Sequence, residues 1–187
     1  MKVLTIDTTG LKGRYLREFP RIVAVGGAQI DDEGHLTTSF GSYVHQSSEH
    51  VNDERAQGAW RSNGIDPQKV IEATLSEKDA AFLLKEWVGD SPATGFNVGF
   101  LTDFLSQEPW SIRQLGGTPC VMKEAAKVIS KKNRQFLLRV SLNDALSWAS
   151  AEGYETAPSP GIEIRAEANA IRVALLILAL EKEANNE

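Results

Sequence analysis

A single carboxylate stands at the end of the first predicted strand. Asp7 closes the apolar run KVLTID, and Thr9 follows two residues later. Residues at i and i+2 of a strand point to the same face, so the two side chains should lie on one side. Oxygen ligands suit Mg²⁺ or Mn²⁺, but one carboxylate beside a neutral hydroxyl would bind such an ion weakly. The alternative role for Asp7 is a structural hydrogen bond at a turn.

A second polar residue stands out in the last predicted helix, which runs from about Ile164 to Glu183. Its first residues, IRAEANA, place Asn169 against a strongly apolar stretch. A buried amide needs hydrogen-bond partners for both its oxygen and its NH2 group, which makes it unusual in such a run. Asn169 is therefore a candidate functional residue, although the rest of this helix has the apolar pattern of a buried core helix.

Two basic segments are candidates for phosphate contact. The first is KKNRQFLLR (residues 131–139), in which basic residues flank Phe136. The second is the basic loop between the first two strands, residues 12–21, which follows Asp7 closely in sequence. Clustered cations beside an aromatic ring are typical of surfaces that bind single-stranded nucleic acid. The alternative for residues 131–139 is an ordinary solvated loop. The candidate contacts are Lys12, Arg14, Lys131, Lys132 and Arg134.

Length and composition predict one globular domain over residues 1–187. Hydrophobic residues make up 42% and charged residues 24%, as in ordinary soluble proteins. The net charge of −5 shows that the protein as a whole is not basic, as many nucleic-acid-binding domains are, although a local basic patch can still occur on its surface.

The cysteine count and the apolar runs indicate the cellular compartment. The single cysteine, Cys120, excludes an internal disulfide. With no signal peptide pattern and no long apolar run, we expect a cytoplasmic protein without a membrane partner.

The strand and helix signals predict a mixed α/β layered fold. Three strands are expected first, at Lys2–Asp7, Arg21–Ile30 and Leu36–His45, with the last two joined by the turn signal DDEG. Short strands are also expected within residues 92–100 and near PCVM, residues 119–122. Helices are expected over residues 52–63, 66–73, 76–88, from about 101, 123–130, 141–152 and 164–183, several with capping residues at their starts.

Three separated segments resemble, in order, the motifs of the DEDD 3′–5′ exonuclease superfamily. TIDTTG (residues 5–10) resembles its Asp-x-Glu strand end, and ATGFNVGFLTDFL (residues 93–105) resembles its second motif. IRAEANA (residues 164–170) resembles the HRAxxDA motif of the proofreading branch, which uses a histidine base. The resemblance implies a ribonuclease-H-like three-layer fold with a mixed central sheet of about five strands. It also implies phosphodiester hydrolysis through two Mg²⁺ or Mn²⁺ ions.

Carried onto this chain, the resemblance leaves one family position intact. Asp7 matches the first Asp and would be the one metal ligand. The replaced positions are Thr9 for the Glu, Leu101 for the second Asp, Ile164 for the His and Asn169 for the last Asp. In the branch that uses a tyrosine, the corresponding position here is Arg165. Metal binding should therefore be weak, and no base stands at the usual place.

Three hypotheses follow from this pattern. The first is a catalytically impaired exonuclease homologue that still binds nucleic acid or a protein partner. The second is an active enzyme with a rebuilt Mg²⁺ or Mn²⁺ site formed by Asp7, Asp103 and Glu163. Asp103 lies two residues past the family position, about 200° around a helix, so it should face away unless the local turn differs. The third is a structural or regulatory subunit without catalysis.

Overall fold

The fold is built on a four-stranded mixed sheet. The computed structural model describes residues 1–10, 20–115, 117–158 and 160–185. The strands are β1 (Lys2–Thr8), β2 (Ile22–Ile30), β3 (Leu36–Tyr43) and β4 (Ala93–Thr94). Their order across the sheet is β3-β2-β1-β4. β1 pairs antiparallel with β2 and parallel with β4, and β2 pairs antiparallel with β3.

Eight α-helices surround this sheet in the described part of the chain. They are α1 (Ser48–Val51), α2 (Gln57–Asn63), α3 (Pro67–Ile71), α4 (Glu77–Val88), α5 (Val98–Leu105), α6 (Val121–Asn133), α7 (Leu142–Ala151) and α8 (Arg165–Asn185). A 3₁₀ turn at Glu54–Ala56 separates α1 from α2. None of the described helices is both long and apolar enough to cross a membrane.

Alternation along β1 sends its side chains into two helical layers. Val3 packs with α6, α7 and α8 on one face of the sheet. Leu4 and Ile6 pack with α4 and α5 on the other face. A smaller cluster around Trp60 joins α1, α2 and α3 to β2. The result is the predicted three-layer arrangement, with the sheet in the middle.

The helix starts follow the capping signals of the sequence. The Ser76 hydroxyl accepts a hydrogen bond from the Asp79 N–H, and the Ser141 hydroxyl accepts one from the Asp144 N–H. The Asn97 side chain caps α5 in the same way. A cap of this kind contributes about 1 kcal/mol to stability. Because Asn97 starts the helix early, α5 begins at Val98 rather than near residue 101.

The start of α8 lies unusually close to the sheet. A Cβ placed on Gly26 of β2 would lie 2.3 Å from the carbonyl carbon of Ala166. Ala166 and Ala170 are completely buried in this contact layer. The Thr5 hydroxyl donates to the Ala166 carbonyl oxygen. The small residues at the start of α8 therefore allow the helix backbone to reach the strands.

Two sequence predictions about elements were wrong. The described residues form four strands rather than five. The segment 119–122 enters α6 at once, after Val121 and Met122 donate to the Gly95 and Phe96 carbonyls at 3.3 and 2.8 Å. The helix predicted over residues 52–63 is interrupted, because the Asp53 carboxylate accepts from the Arg55 N–H and starts a separate turn. That residues 1–187 form one domain in the cytoplasm stays a prediction.

Candidate functional site

Asp7 lies at the end of β1, beneath the first turn of α8. Val3, Thr5 and Asp7 share the face of β1 that α8 covers. The register against β2 shifts between Asp7 and Thr8, which marks a β-bulge at this point. Bulges bend a strand and redirect its side chains, and they are common beside functional sites. Asp7 is 6% exposed, so its carboxylate is almost completely removed from solvent.

A guanidinium group, supplied by the first residue of α8, faces this carboxylate. Arg165 Nη1 lies 3.1 Å from Asp7 Oδ1 and donates a hydrogen bond to it. The same nitrogen donates to Asn63 Oδ1 at 2.7 Å. Asn63 in turn donates through Nδ2 to the Thr8 carbonyl oxygen at 3.0 Å. Four residues from β1, α2 and α8 thus form one polar network.

The ion pair satisfies only half of the Asp7 carboxylate. Asp7 Oδ2 is buried and has no hydrogen-bond partner among the described residues. Burial raises the pKa of the Asp7 carboxyl above its ordinary value, and the positive charge of Arg165 offsets part of that rise. The short distance to Arg165 indicates an ion pair, whereas the raised pKa indicates that burial disfavours the charged carboxylate. The two observations are compatible, because Oδ1 is hydrogen-bonded to Arg165 while Oδ2 is buried with no partner among the described residues.

Thr9, at the replaced Glu position, is engaged in closing the β1–β2 ladder. Its hydroxyl accepts from the Arg21 N–H at 2.9 Å, and its own N–H donates to the Arg21 carbonyl at 2.9 Å. His50 Nε2 lies 3.3 Å from the same hydroxyl. Partial burial lowers the pKa of the His50 ring below its ordinary value, and the nearby charge of Arg21 lowers it further. Thr9 itself is fully buried.

The second replaced position, Leu101, belongs to the core. Its side chain is 4% exposed and packs in the cluster that contains Leu4, Phe104 and Leu105. A Cβ on Gly95 would lie 2.2 Å from Leu101 Cδ1, so the side chain fills the space above that glycine. Leu101 supplies packing where the family has a carboxylate.

The two replaced residues of the third motif make their described contacts with residues other than Asp7. Ile164 lies against β3, where a Cβ on Gly41 would be 3.1 Å from Ile164 Cβ. Asn169 Oδ1 accepts a hydrogen bond from Arg172 Nη1 at 3.1 Å. The amide oxygen is therefore used within α8. In this motif it is Arg165 that contacts Asp7.

The two carboxylates that the rebuilt-site hypothesis adds to Asp7 lie at the surface. Asp103 is exposed on α5, and its carbonyl oxygen accepts from Gln107 Nε2 at 2.9 Å. Glu163 is exposed and borders a shallow cleft that Tyr43 of β3 and Lys69 of α3 also line. The hydrogen bonds described for Asp7 involve neither residue.

The basic candidates have different surroundings. Lys132 Nζ lies 2.6 Å from Glu152 and 2.7 Å from Glu183. These two carboxylates raise the pKa of the Lys132 ammonium, and they hold it between α6, α7 and α8. Lys131 and Arg134 are exposed at the end of α6. Lys12 and Arg14 lie outside the described residues.

The donors around Asp7 do not fit a two-metal centre. Asp7 Oδ2 is a free buried oxygen, which suits one bond to a cation. The Thr9 hydroxyl is already hydrogen-bonded, the Asn169 amide oxygen accepts from Arg172, and the Leu101 side chain offers no donor atom. The Arg165 guanidinium, 3.1 Å from Asp7, would repel a second cation. One carboxylate oxygen cannot replace the water of two Mg²⁺ ions.

A different group of possible metal donors lies at the opposite end of the sheet. Asp31, Glu33 and His35 occupy the β2–β3 turn, with donor atoms all within 4.8 Å of one another. Since Met1 N–H donates to Ile30 O, this turn lies beside the start of β1, whereas Asp7 lies at its end. The Asp31 carboxylate already accepts from the His35 N–H and forms the turn. The group is therefore separate from the Asp7 site.

Comparison with known structures places the fold. The chain is similar to E. coli exonuclease I in complex with a dT13 oligonucleotide, with a TM-score of 0.71 and 14% identity over 99% of this chain and 41% of that chain. The chain therefore has the fold of the solved exonucleases that it matches. This confirms the predicted ribonuclease-H-like architecture, with four strands rather than five. No family model and no curated protein matches the sequence.

Two further solved structures share this fold. The nuclease domain of 3'hExo, a DEDDh family member bound to rAMP, has a TM-score of 0.60 and 12% identity over 97% of this chain and 91% of that chain. S. pombe Pop2p in its Mg²⁺- and Mn²⁺-bound form has a TM-score of 0.56 and 15% identity over 98% of this chain and 82% of that chain. At these identities the likeness concerns the fold.

Sequence patterns alone missed two members of the site. Asn63 joins the network from a position predicted only as a helix end, and His50 reaches Thr9 from 41 residues away. Neither residue belongs to a motif or to a regular spacing with Asp7. Arg165 was identified only as the counterpart of a tyrosine, and the structure brings it to Asp7.

Proposed function

We propose that this chain is a DEDD-fold protein that has lost metal-dependent cleavage and binds single-stranded nucleic acid. The observation that carries the proposal is the Arg165 guanidinium 3.1 Å from Asp7. The positive charge that a metal would bring to this carboxylate comes from a side chain of the protein itself.

Arginine can neutralise a carboxylate but cannot replace a catalytic metal. In two-metal hydrolysis the ions activate a water molecule and stabilise the leaving oxygen. A guanidinium keeps its protons at any relevant pH, and it offers no open coordination position. Thr9, Leu101, Ile164 and Asn169 supply neither the missing carboxylates nor a base. Impaired catalysis follows from this combination.

Nucleic acid is the ligand that the structural neighbours favour. Exonuclease I is described with dT13, the 3'hExo nuclease domain with rAMP, and a 3'-exonuclease with a histone mRNA stem-loop. The exposed basic residues at the end of α6 add local positive charge to a chain with a net charge of −5. We propose that binding needs neither Mg²⁺ nor Mn²⁺.

A nuclease assay with a matched variant tests the loss of cleavage. A 3′-labelled single-stranded oligonucleotide is incubated with Mn²⁺ or Mg²⁺ and either the wild type or Asp7→Ala. We expect no release of label that depends on Asp7. Metal-dependent release in the wild type that disappears in Asp7→Ala would show a rebuilt active site and overturn the proposal.

Binding is measured separately in EDTA, by fluorescence anisotropy of a labelled single strand at 50 and 200 mM salt. We expect binding that weakens as the salt concentration rises, because released counterions drive phosphate contacts. A protein that neither cleaves nor binds the oligonucleotide would instead match the structural or regulatory subunit.

A further inference from the structure

An exposed aromatic and basic loop follows α6, at residues 134–139, which we call the 134–139 loop. Phe136 is 85% exposed and Leu138 is 74% exposed. Arg134 and Arg139, at its two ends, are also exposed. No acidic residue occurs between residues 125 and 143. The loop thus combines apolar side chains in water with a local excess of positive charge.

The loop is held in place by hydrogen bonds to the last turns of α6. The Gln135 N–H donates to the Ser130 carbonyl at 3.1 Å, and the Leu137 N–H donates to the Ser130 hydroxyl at 2.9 Å. Arg134 takes a left-handed conformation with φ of 52°, which ends the helix. Leu137 packs against the core that α6, α7 and α8 form. Its two neighbours, Phe136 and Leu138, are therefore presented outward.

We propose that the 134–139 loop is a binding surface for single-stranded nucleic acid, separate from the Asp7 site. A base stacks on the Phe136 ring and packs against Leu138, while Arg134 and Arg139 contact the phosphates on either side. Stacking of bases on exposed aromatic rings, with arginine along the backbone, is how single strands are bound without sequence preference. Leucine beside phenylalanine would also suit a protein partner, but the flanking arginines favour an anionic ligand.

The surface lies far from Asp7. Lys132, just before the loop, contacts Glu183 near the end of α8, whereas Arg165 at the start of α8 contacts Asp7. At 1.5 Å per residue these two points of α8 are about 27 Å apart. Contacts at the loop therefore involve none of the residues of the polar network at Asp7. This inference rests on the proposed function only in taking nucleic acid as the ligand.

Anisotropy titrations of a 5′-labelled dT12 oligonucleotide in EDTA test the proposal with three proteins. Phe136→Ala should weaken binding about 5- to 100-fold, the range observed when a stacking aromatic is removed. Phe82→Ala is the matched control, because Phe82 is also exposed (62%) but lies on α4 beside Asp79 and Glu86. The control should bind like the wild type. Thermal unfolding of each variant verifies that the fold is retained.

A second variant tests the phosphate contacts. Arg134→Asn combined with Arg139→Gln keeps a residue that tolerates the left-handed conformation at position 134. The slope of log affinity against log salt should fall by about 1.4, since each neutralised phosphate of a single strand contributes about 0.7. Equal binding by the wild type and Phe136→Ala, or an unchanged slope in the double variant, would overturn this inference while the proposed function stands. A wild type that binds no oligonucleotide would overturn both.

Discussion

Arg165 Nη1 lies 3.1 Å from Asp7 Oδ1, although the two residues are 158 positions apart in the chain. The pair joins the end of β1 to the start of α8, which are the places where the DEDD resemblance puts its first and third motifs. One of the two carboxylate oxygens accepts this hydrogen bond, and the other is buried with no partner in the described part of the chain. The stability of the protein should therefore depend on the charge of both Asp7 and Arg165.

Removing the guanidinium should destabilise the protein. Breaking a fully buried ion pair costs about 3–5 kcal/mol, but the Arg165 side chain is 41% exposed. We therefore expect Arg165→Met to lower the free energy of unfolding by about 1–3 kcal/mol. Urea denaturation of the wild type, Arg165→Met, Asp7→Asn and the double variant gives the coupling energy between the two residues. A coupling energy of zero would contradict a stabilising contact between them.

The pH dependence of stability should report the buried carboxyl. The pKa of Asp7 is raised above its ordinary value of 3.8, so above that pH the folded state holds more protons than the unfolded state. The stability from the protonated carboxyl is complete below about pH 3.8 and is lost as the pH rises through the folded pKa. Relative to Asp7→Asn, the wild type should become less stable from pH 4 to pH 7, measured by thermal unfolding in EDTA. The opposite slope would mean that Arg165 outweighs burial and lowers the pKa.

Restoring the second family carboxylate should disrupt the core. Leu101→Asp would place a charge among Leu4, Phe104 and Leu105, and we expect a loss of at least about 3 kcal/mol. Leu101→Met is the control of similar volume and should cost less than about 1.5 kcal/mol. Both are measured by urea denaturation with and without Mn²⁺. Recovery of the Asp variant by Mn²⁺ would contradict the assignment of Leu101 to packing alone.

The contact between α8 and the sheet should depend on a glycine. Gly26→Ala would bring a Cβ to 2.3 Å from the Ala166 backbone, and overpacking of this kind costs about 1–3 kcal/mol or more. Gly58→Ala is the matched control, since nothing lies within 4 Å of its added Cβ in α2. It should be neutral or stabilise by up to about 1 kcal/mol. Equal unfolding temperatures for the two variants would show that the helix can move away without cost.

Local structure could be predicted from the sequence because its signals are local. The apolar run before Asp7, the capping pairs at Ser76 and Ser141, and the long apolar stretch after Asn169 each fix backbone conformation or the face of an element over a few residues. The resemblance also identified the replaced family positions by their order along the chain. The strand expected at residues 119–122 failed because its residues donate to the carbonyls after β4 and then turn directly into a helix.

Only the tertiary structure decided which side chains meet. The sequence by itself predicted Asp7 as a site residue and neutral side chains at the other motif positions, but not that Arg165 contacts Asp7 or that Asn63 contacts Arg165. In the same way, the sequence predicted Lys132 as a candidate phosphate contact, whereas Glu152 and Glu183 bind its ammonium group in the structure. No local pattern could have distinguished these two roles. The physical reason is the same in both cases. Helix and strand periodicity specify which way a side chain points from its own element, while its partner depends on how elements far apart in the chain pack together.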